Sequence, residues 1–238
     1  MDIQRFDFEP GTVLNRKYEV LGFLGDGWEG EVYKLRERAT GIRRAGKFFF
    51  PRRNPRNRTL RAYAKKLHAL RHCHALIQYY TQESMQFHGR RIDYLVSEYV
   101  EGESLSSFVG HQPGRRLHPY QALHLLHALS SGVAEMHNLR HSHGDLHTDN
   151  IIVRRYGLRF ELKLFDFFQW EMSTQDLIQE DVYDLIRIFY DVLGGKRTYA
   201  RQSPTVKNIC RGLKRSLIRQ QFRSAGQLRQ HIETLEWE

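Results

Sequence analysis

Two cysteines in 238 residues exclude a disulfide framework. Cys73 and Cys210 both fall in helix-like text without metal-ligand spacing, so reduced thiols of a cytosolic protein are expected. No apolar run approaches the ~18 residues of a membrane helix. The opening Met1-Asp2-Ile3-Gln4-Arg5-Phe6-Asp7 lacks the basic-then-apolar layout of a secretory signal. A soluble cytoplasmic protein is therefore expected, and a secreted effector exported without a signal would read the same. Internal repeats and low-complexity tracts are absent. Acids are scarce: 27 Asp and Glu stand against 37 Lys and Arg, for a net charge of +10. Such a field favours polyanions, nucleotides first. It also admits nucleic acid, although no reading motif accompanies the charge. The histidines, among them His68, His72, His74, His118, His124 and His127, show no zinc-ligand pattern.

Hydrophobic residues at 40% and aromatics at 12% are ample for a core. The first third alternates short β-rich runs with turns. Tyr18–Leu21 leads into a glycine-rich turn, then Glu31–Leu35, then a run ending Lys47-Phe48-Phe49-Phe50. Pro51 and Pro55 interrupt, and a helix follows with Leu60, Ala64, Leu67 and Leu70 on one face. Two further strands are predicted over Leu76–Glu83 and Ile92–Tyr99. After Gly102 the period lengthens to about 3.6 residues, and Ala122, Leu126, Leu129, Val133 and Met136 line one face of a long helix. A hairpin-like stretch joins Ile151–Val153 to Leu162–Phe165, and helices return over Glu180–Leu193, Thr205–Leu217 and Ala225–Leu235.

Four constellations carry chemistry. Gly25-Asp26-Gly27-Trp28-Glu29-Gly30 lies between two strands, where glycines let backbone N–H groups approach a triphosphate. Lys47 sits in an apolar run, a costly place for a charge unless an anion meets it. In His143-Gly144-Asp145-Leu146-His147-Thr148-Asp149-Asn150, an aspartate is followed five residues later by asparagine and then by an apolar strand. Asp145 would accept the proton of an attacking hydroxyl, and Asn150 would offer an amide oxygen to Mg²⁺. Asp166, sixteen residues beyond Asn150, ends another hydrophobic strand and supplies a hard oxygen for the same metal.

With these residues in place, the chain resembles the eukaryotic-like protein kinase superfamily, in a minimal bacterial Ser/Thr form with an HGDLHxxN catalytic loop. The resemblance runs from about Gly11 to the end. It implies an α+β bilobal fold: a β-rich amino lobe over about residues 11–99, a hinge at 100–102, and a helical carboxy lobe over 103–238. It implies ATP and Mg²⁺ as cofactors and a protein substrate. Leu24, Val32, Ala45 and Ile152 match the residues that sandwich the adenine. Glu98 to Val100 match the hinge that offers backbone groups to it, with Ser97 as a small gatekeeper. Gly25, Gly27, Gly30 and Lys47 match the phosphate cradle, Asp145, Lys47 and Asn150 the catalytic set, and Asn150 and Asp166 the metal ligands. Asp181-Val182-Tyr183-Asp184-Leu185 resembles the start of the family's buried central helix.

The departures are equally specific. The family pairs its strand lysine with a helical glutamate, yet Tyr63 falls at that place and no acid occurs between Lys47 and Glu83. Another carboxylate is therefore expected beside Lys47, with Glu29, Glu31 and Glu83 as candidates. Gly144 replaces an arginine and His147 a lysine of the catalytic loop, and Asp166-Phe167-Phe168 lacks the glycine of DFG. Fourteen residues separate Asp166 from Asp181, without an APE-like sequence, so the activation segment is shortened. Gln221 stands where the arginine partner of that glutamate would be. A small-molecule or RNA-linked kinase, and a nucleotide-binding pseudokinase serving as an interaction module, remain as alternatives.

Overall fold

The computed structural model describes residues 3–157, 159–167 and 175–235, which divide into two compact units. The first holds residues 1–72 and 77–100, the second 73–76 and 101–238. In the first unit, β1 (Val13–Leu14), β2 (Tyr18–Asp26), β3 (Gly30–Glu37), β4 (Arg43–Phe49), helix α1 (Arg58–Ala69), β5 (Tyr79–Phe87) and β6 (Arg90–Glu98) follow in order. The six strands form one antiparallel sheet in the order β1-β2-β3-β4-β6-β5. Strand β5 begins at Tyr79 rather than Leu76, because Leu76 bridges to Leu164 within the second unit.

Alternation assigns the two faces of this sheet. Tyr33, Leu35, Phe48, Tyr94 and Val96 enter one aromatic-rich cluster, with Phe48 stacked on Tyr94 at 4.4 Å between ring centroids. Ile3, Phe6 and Phe8 join the same cluster, so this unit begins before Gly11, where the family resemblance starts. The Phe6 ring stacks on Phe8 at 5.6 Å and on Phe50 at 5.7 Å. Its backbone N–H donates to the buried Glu31 carboxylate at 3.0 Å, and the Tyr33 hydroxyl donates to the same oxygen at 2.6 Å. Burial, aided by Glu31, pushes the Tyr33 phenol up, so it keeps its proton and keeps donating.

In the second unit come β7 (Glu103–Ser104), α2 (Leu105–Gly110), α3 (Pro119–Asn138), β8 (Ile151–Tyr156), β9 (Arg159–Leu164), α4 (Gln175–Val192), α5 (Lys196–Tyr199), α6 (Pro204–Cys210), α7 (Arg215–Gln221) and α8 (Ala225–Glu233). A three-stranded sheet runs β7-β8-β9. Helix α3 starts where its text dictates. Pro119 needs no intrahelical N–H, and His118 and Gln121 form a reciprocal capping box. Ala122, Leu126, Leu129, Val133 and Met136 are buried as the periodicity predicts. Gly132 admits the segment 73–76, since a Cβ there would stand 2.3 Å from that of Ala75. The helix expected over Thr205–Leu217 is instead two, because Gly212 at φ +60° breaks it.

Both cysteines are buried free thiols. Burial pushes Cys73 up to about 11 and Cys210 up to about 12, which keeps them as inert thiols. Among the described residues, no helix is long and apolar enough to cross a membrane.

Candidate active site

The glycine-rich turn is held by β4. Gly27 N–H closes the turn onto the Gly30 carbonyl at 2.9 Å, and Gly30 pairs with Phe49. A Cβ at Gly30 would lie 1.9 Å from the Phe48 carbonyl oxygen, so packing itself demands glycine there. Nothing lies within 4 Å of a Cβ built at Gly25, so the fold makes no such demand of that glycine. At the tip, Trp28 is 73% exposed and carries the Arg53 guanidinium over its ring at 3.1 Å. The Phe50 N–H donates to the Glu29 carbonyl at 2.9 Å.

Lys47 stands opposite Val32 on one side and Leu95 on the other, while Ala45 stands opposite Lys34 and Ser97. These residues share the sheet face opposite the aromatic cluster. The Lys47 ammonium meets Glu29 Oε2 at 2.9 Å, with side-chain exposures of 13% and 27%. The same ammonium lies 4.6 Å from the centroid of the buried Tyr63 ring and 5.5 Å from that of Phe49. A cation over an aromatic face gains about 0.5–2 kcal/mol. Tyr63 thus contacts Lys47 through its π face, and Glu29 brings the charge. Of the three candidate carboxylates, Glu31 is bound instead to Phe6 and Tyr33, and Glu83 to Lys17 at 2.6 Å. The signal for Glu29 was in the register. A residue beside Gly30 lies near Phe49, and Phe49 shares a sheet face with Lys47.

Leu24 is 46% exposed at the end of β2 and Val32 is half-buried on β3. Glu98 ends β6, where its N–H donates to the Gln78 carbonyl at 2.8 Å and its carboxylate accepts from Gln78 N–H at 3.1 Å. Val100, half-buried, closes the first unit. Ile152 belongs to the second unit, on β8 between Ser104 and Lys163.

The loop over residues 143–150 is organised by Asp181 of α4, which is fully buried. Its carboxylate accepts the backbone N–H groups of His143 at 2.7 Å and Gly144 at 2.8 Å, and the His137 Nε2–H of α3 at 3.0 Å. Three donors on one carboxylate satisfy a buried charge that would otherwise be costly. Gly144, at φ +79°, takes the left-handed conformation that lets its N–H reach Asp181. His143 turns its ring Nε2 to the Phe165 carbonyl at 3.1 Å, and its ring meets Phe167 edge-on at 6.0 Å.

Asn150 is buried where the loop enters β8. Its side-chain N–H donates to the Asp145 carbonyl at 3.0 Å, the Asp145 carboxylate at 3.3 Å and the Asp166 carbonyl at 3.5 Å. One amide therefore draws Asp145, Asn150 and Asp166 together, with its Oδ1 as the remaining acceptor. The Asp145 side chain is 54% exposed. Asp166 holds φ +59°, a left-handed conformation that aspartate tolerates better than most residues. His147 sits between two carboxylates, with Nε2 at 3.8 Å from Asp145 and Nδ1 at 3.8 Å from Asp149. The Asp149 N–H donates to His147 Nδ1 at 3.3 Å. Phe168, Ser173 and Thr174 lie outside the described residues.

Hard oxygens from Asn150 and Asp166 suit Mg²⁺, which keeps several waters and takes one or two protein ligands plus phosphates. Among the described residues, no group of three or more His, Cys, Asp and Glu gathers for a metal.

Comparison with known proteins agrees in kind. A protein of Oryza sativa subsp. japonica bearing the name cyclin-dependent kinase F-2 is 35% identical over 154 residues, 63% of this chain and 46% of that one. The serine/threonine-protein kinase PrkC of Bacillus subtilis (strain 168) is 28% identical over 163 residues, 66% of this chain and 23% of its own. The chain thus spans less than half the length of either relative. In fold it is similar to the kinase domain of Mycobacterium tuberculosis PknI, at a TM-score of 0.68 and 17% identity over 96% of this chain and 98% of that one. The protein kinase domain family is matched over residues 18–184, and the chain belongs to it.

Proposed function

We propose that the protein transfers the γ-phosphate of Mg·ATP to a serine or threonine hydroxyl of a protein. The observation that carries this reading is the Asn150 amide, which ties Asp145 to Asp166 while Asp181 holds the loop backbone. Phosphoryl transfer needs little covalent chemistry from a protein, and positioning with charge neutralisation does most of the work. Lys47 and the glycine turn hold the triphosphate. Leu24, Val32 and Ala45 of the first unit line the base, and Glu98 and Val100 offer it backbone groups. Asn150 and Asp166 hold the metal that neutralises the phosphates. Asp145, more than half exposed, aligns the incoming hydroxyl.

One feature favours an acceptor other than protein. His147, rather than a lysine, faces Asp145, which alters the charge offered to the acceptor. Radiolabelled γ-phosphate transfer separates the cases, using generic proteins, small-molecule hydroxyl acceptors, RNA and the chain itself. Label on protein or on the chain supports the proposal. Label confined to a small molecule or RNA overturns the acceptor, and nucleotide binding without transfer overturns the activity.

A further inference from the structure

The glycine turn and Lys47 form one mechanical unit, closed by Glu29. Three contacts fix the turn to the end of β4 and the residues that follow it. The Glu29 carboxylate meets Lys47 at 2.9 Å, the Glu29 carbonyl accepts from Phe50 N–H at 2.9 Å, and Trp28 stacks under Arg53. Gly30, pressed onto the Phe48 carbonyl, leaves the turn little room to slide along β4.

Helix α1 faces the same lysine with no carboxylate at all. It presents the Tyr63 ring, and a ring face attracts a cation without fixing its direction as an oxygen acceptor does. The helix is anchored elsewhere. Asn54 caps the Leu60 N–H at 3.1 Å, and Asn57 donates to Asp93 on β6.

We infer that Glu29 is a positioning residue for Lys47, so that the turn which cradles the phosphates also aims the lysine at them, through a carboxylate that helix α1 does not supply. The inference rests on the proposed phosphotransfer reading for its purpose, and on the 2.9 Å pair for its geometry. A loop displaced from the phosphates would carry the lysine's partner away with it. Phosphate cradle and cation therefore engage or disengage together.

The test is a double-mutant cycle with Glu29→Gln, Lys47→Met and the double variant. Glutamine keeps the size of glutamate and removes its charge, so thermal stability should barely change. In the nucleotide-free protein, Lys47 acylation by an amine-directed reagent, followed by mass spectrometry, should accelerate at least ~3-fold in Glu29→Gln, because removing the anion favours the neutral amine. Turnover should fall by about tenfold or more, as expected of a mispositioned phosphate ligand. In the Lys47→Met background, Glu29→Gln should cost nothing further in turnover or Mg·ATP affinity. An unchanged acylation rate, or fully additive losses, would overturn the role of Glu29. Accelerated acylation in a protein that transfers no phosphate would overturn the kinase reading and leave the pairing standing.

Discussion

Asp145 owes its place to one amide and one carboxylate. Asn150 holds it from the strand side, and Asp181 holds the two residues before it through their backbone N–H groups. It is therefore positioned without being buried, as the proposed role of meeting an incoming hydroxyl requires. Asp145→Asn should lower phosphotransfer by at least ~10²-fold, the scale of general-base and positioning effects, while Mg·ATP affinity stays within about threefold. Near-normal turnover in this variant would remove Asp145 from the mechanism. Asp166→Ala should weaken Mg·ATP binding as well as turnover, because a charged ligand is lost, and Asn150→Ala should do so more mildly. Calorimetric titration with and without Mg²⁺ separates the two, and equal binding by both variants and the parent would refute the metal assignment. The two glycines read differently on the same scale. Gly30 is demanded by the Phe48 carbonyl, whereas Gly25 has open space beside it and lies at the register shift between Phe23 and Gly25.

Helix α4 carries another carboxylate, Asp184, one turn from Asp181. Burial first, then the neighbouring Asp181 and Glu180 charges, push Asp184 up to about 7. Its folded-state value thus lies above the ordinary 3.8, so the neutral form is favoured by folding. That contribution is fully present below about pH 4 and is lost as pH rises through about 7. Asp184→Asn should flatten this slope. At pH 8 it should stabilise the protein by about 1–2 kcal/mol, discounted for partial exposure, or about 4 °C in melting temperature. A melting curve at pH 8 no higher than the parent's would contradict the assignment. The residues before β1 form the other element with a measurable load. Phe6 is 3% exposed and touches Phe8, Phe48, Phe50 and Phe87. Phe6→Ala should cost about 3 kcal/mol in urea denaturation, the scale of a buried aromatic truncation. A loss under about 1 kcal/mol would mean that the strand sheet holds its aromatic face without this segment.

Across the whole molecule, the positive charge is less free than its sum suggests. Arg215 and Arg219 reach Glu180 and Asp176 of α4, Arg229 pairs with Glu233 at 3.5 Å, and Arg211 donates to Gln221. Exposed pairs of this kind add little stability, yet among the described residues three of the six Lys and Arg over Arg211–Arg229 meet carboxylates. Gln221, in the place of a family arginine, is thereby engaged by a neighbouring helix turn. The loop beside Asp145 is likewise closed within its own unit, by Asp181 through backbone groups and by the His143 and Phe167 rings. A phosphorylation switch works by offering new anions to arginines, and Gly144 has no side chain to receive one. Phosphatase-treated protein, and a Ser173→Ala/Thr174→Ala double variant, should therefore match untreated protein at saturating ATP. A tenfold drop in either would show that such a switch operates here.

The sequence by itself determined the strand-rich first unit and the helical second one, and it nominated the residues proposed to carry chemistry. Those depend on local periodicity and on spacings such as Asp145 to Asn150, which one stretch of chain contains. Long-range pairing was legible only where a residue's local role demanded a partner: Lys47 required a carboxylate, and three were in view. Choosing among them needed the packing. Glu31 is claimed by Phe6 and Tyr33 because residues 3–8 fold back onto the sheet, a contact without local periodicity to announce it. Glu83 is claimed by Lys17, because the turn before β2 reaches β5 at the other end of the strand order, where Asn15 also donates to the Ser84 carbonyl. Only the tertiary structure left Glu29 to Lys47, because hydrogen-bond register and the approach of Gly30 to β4 decide which carboxylate comes within about 3 Å.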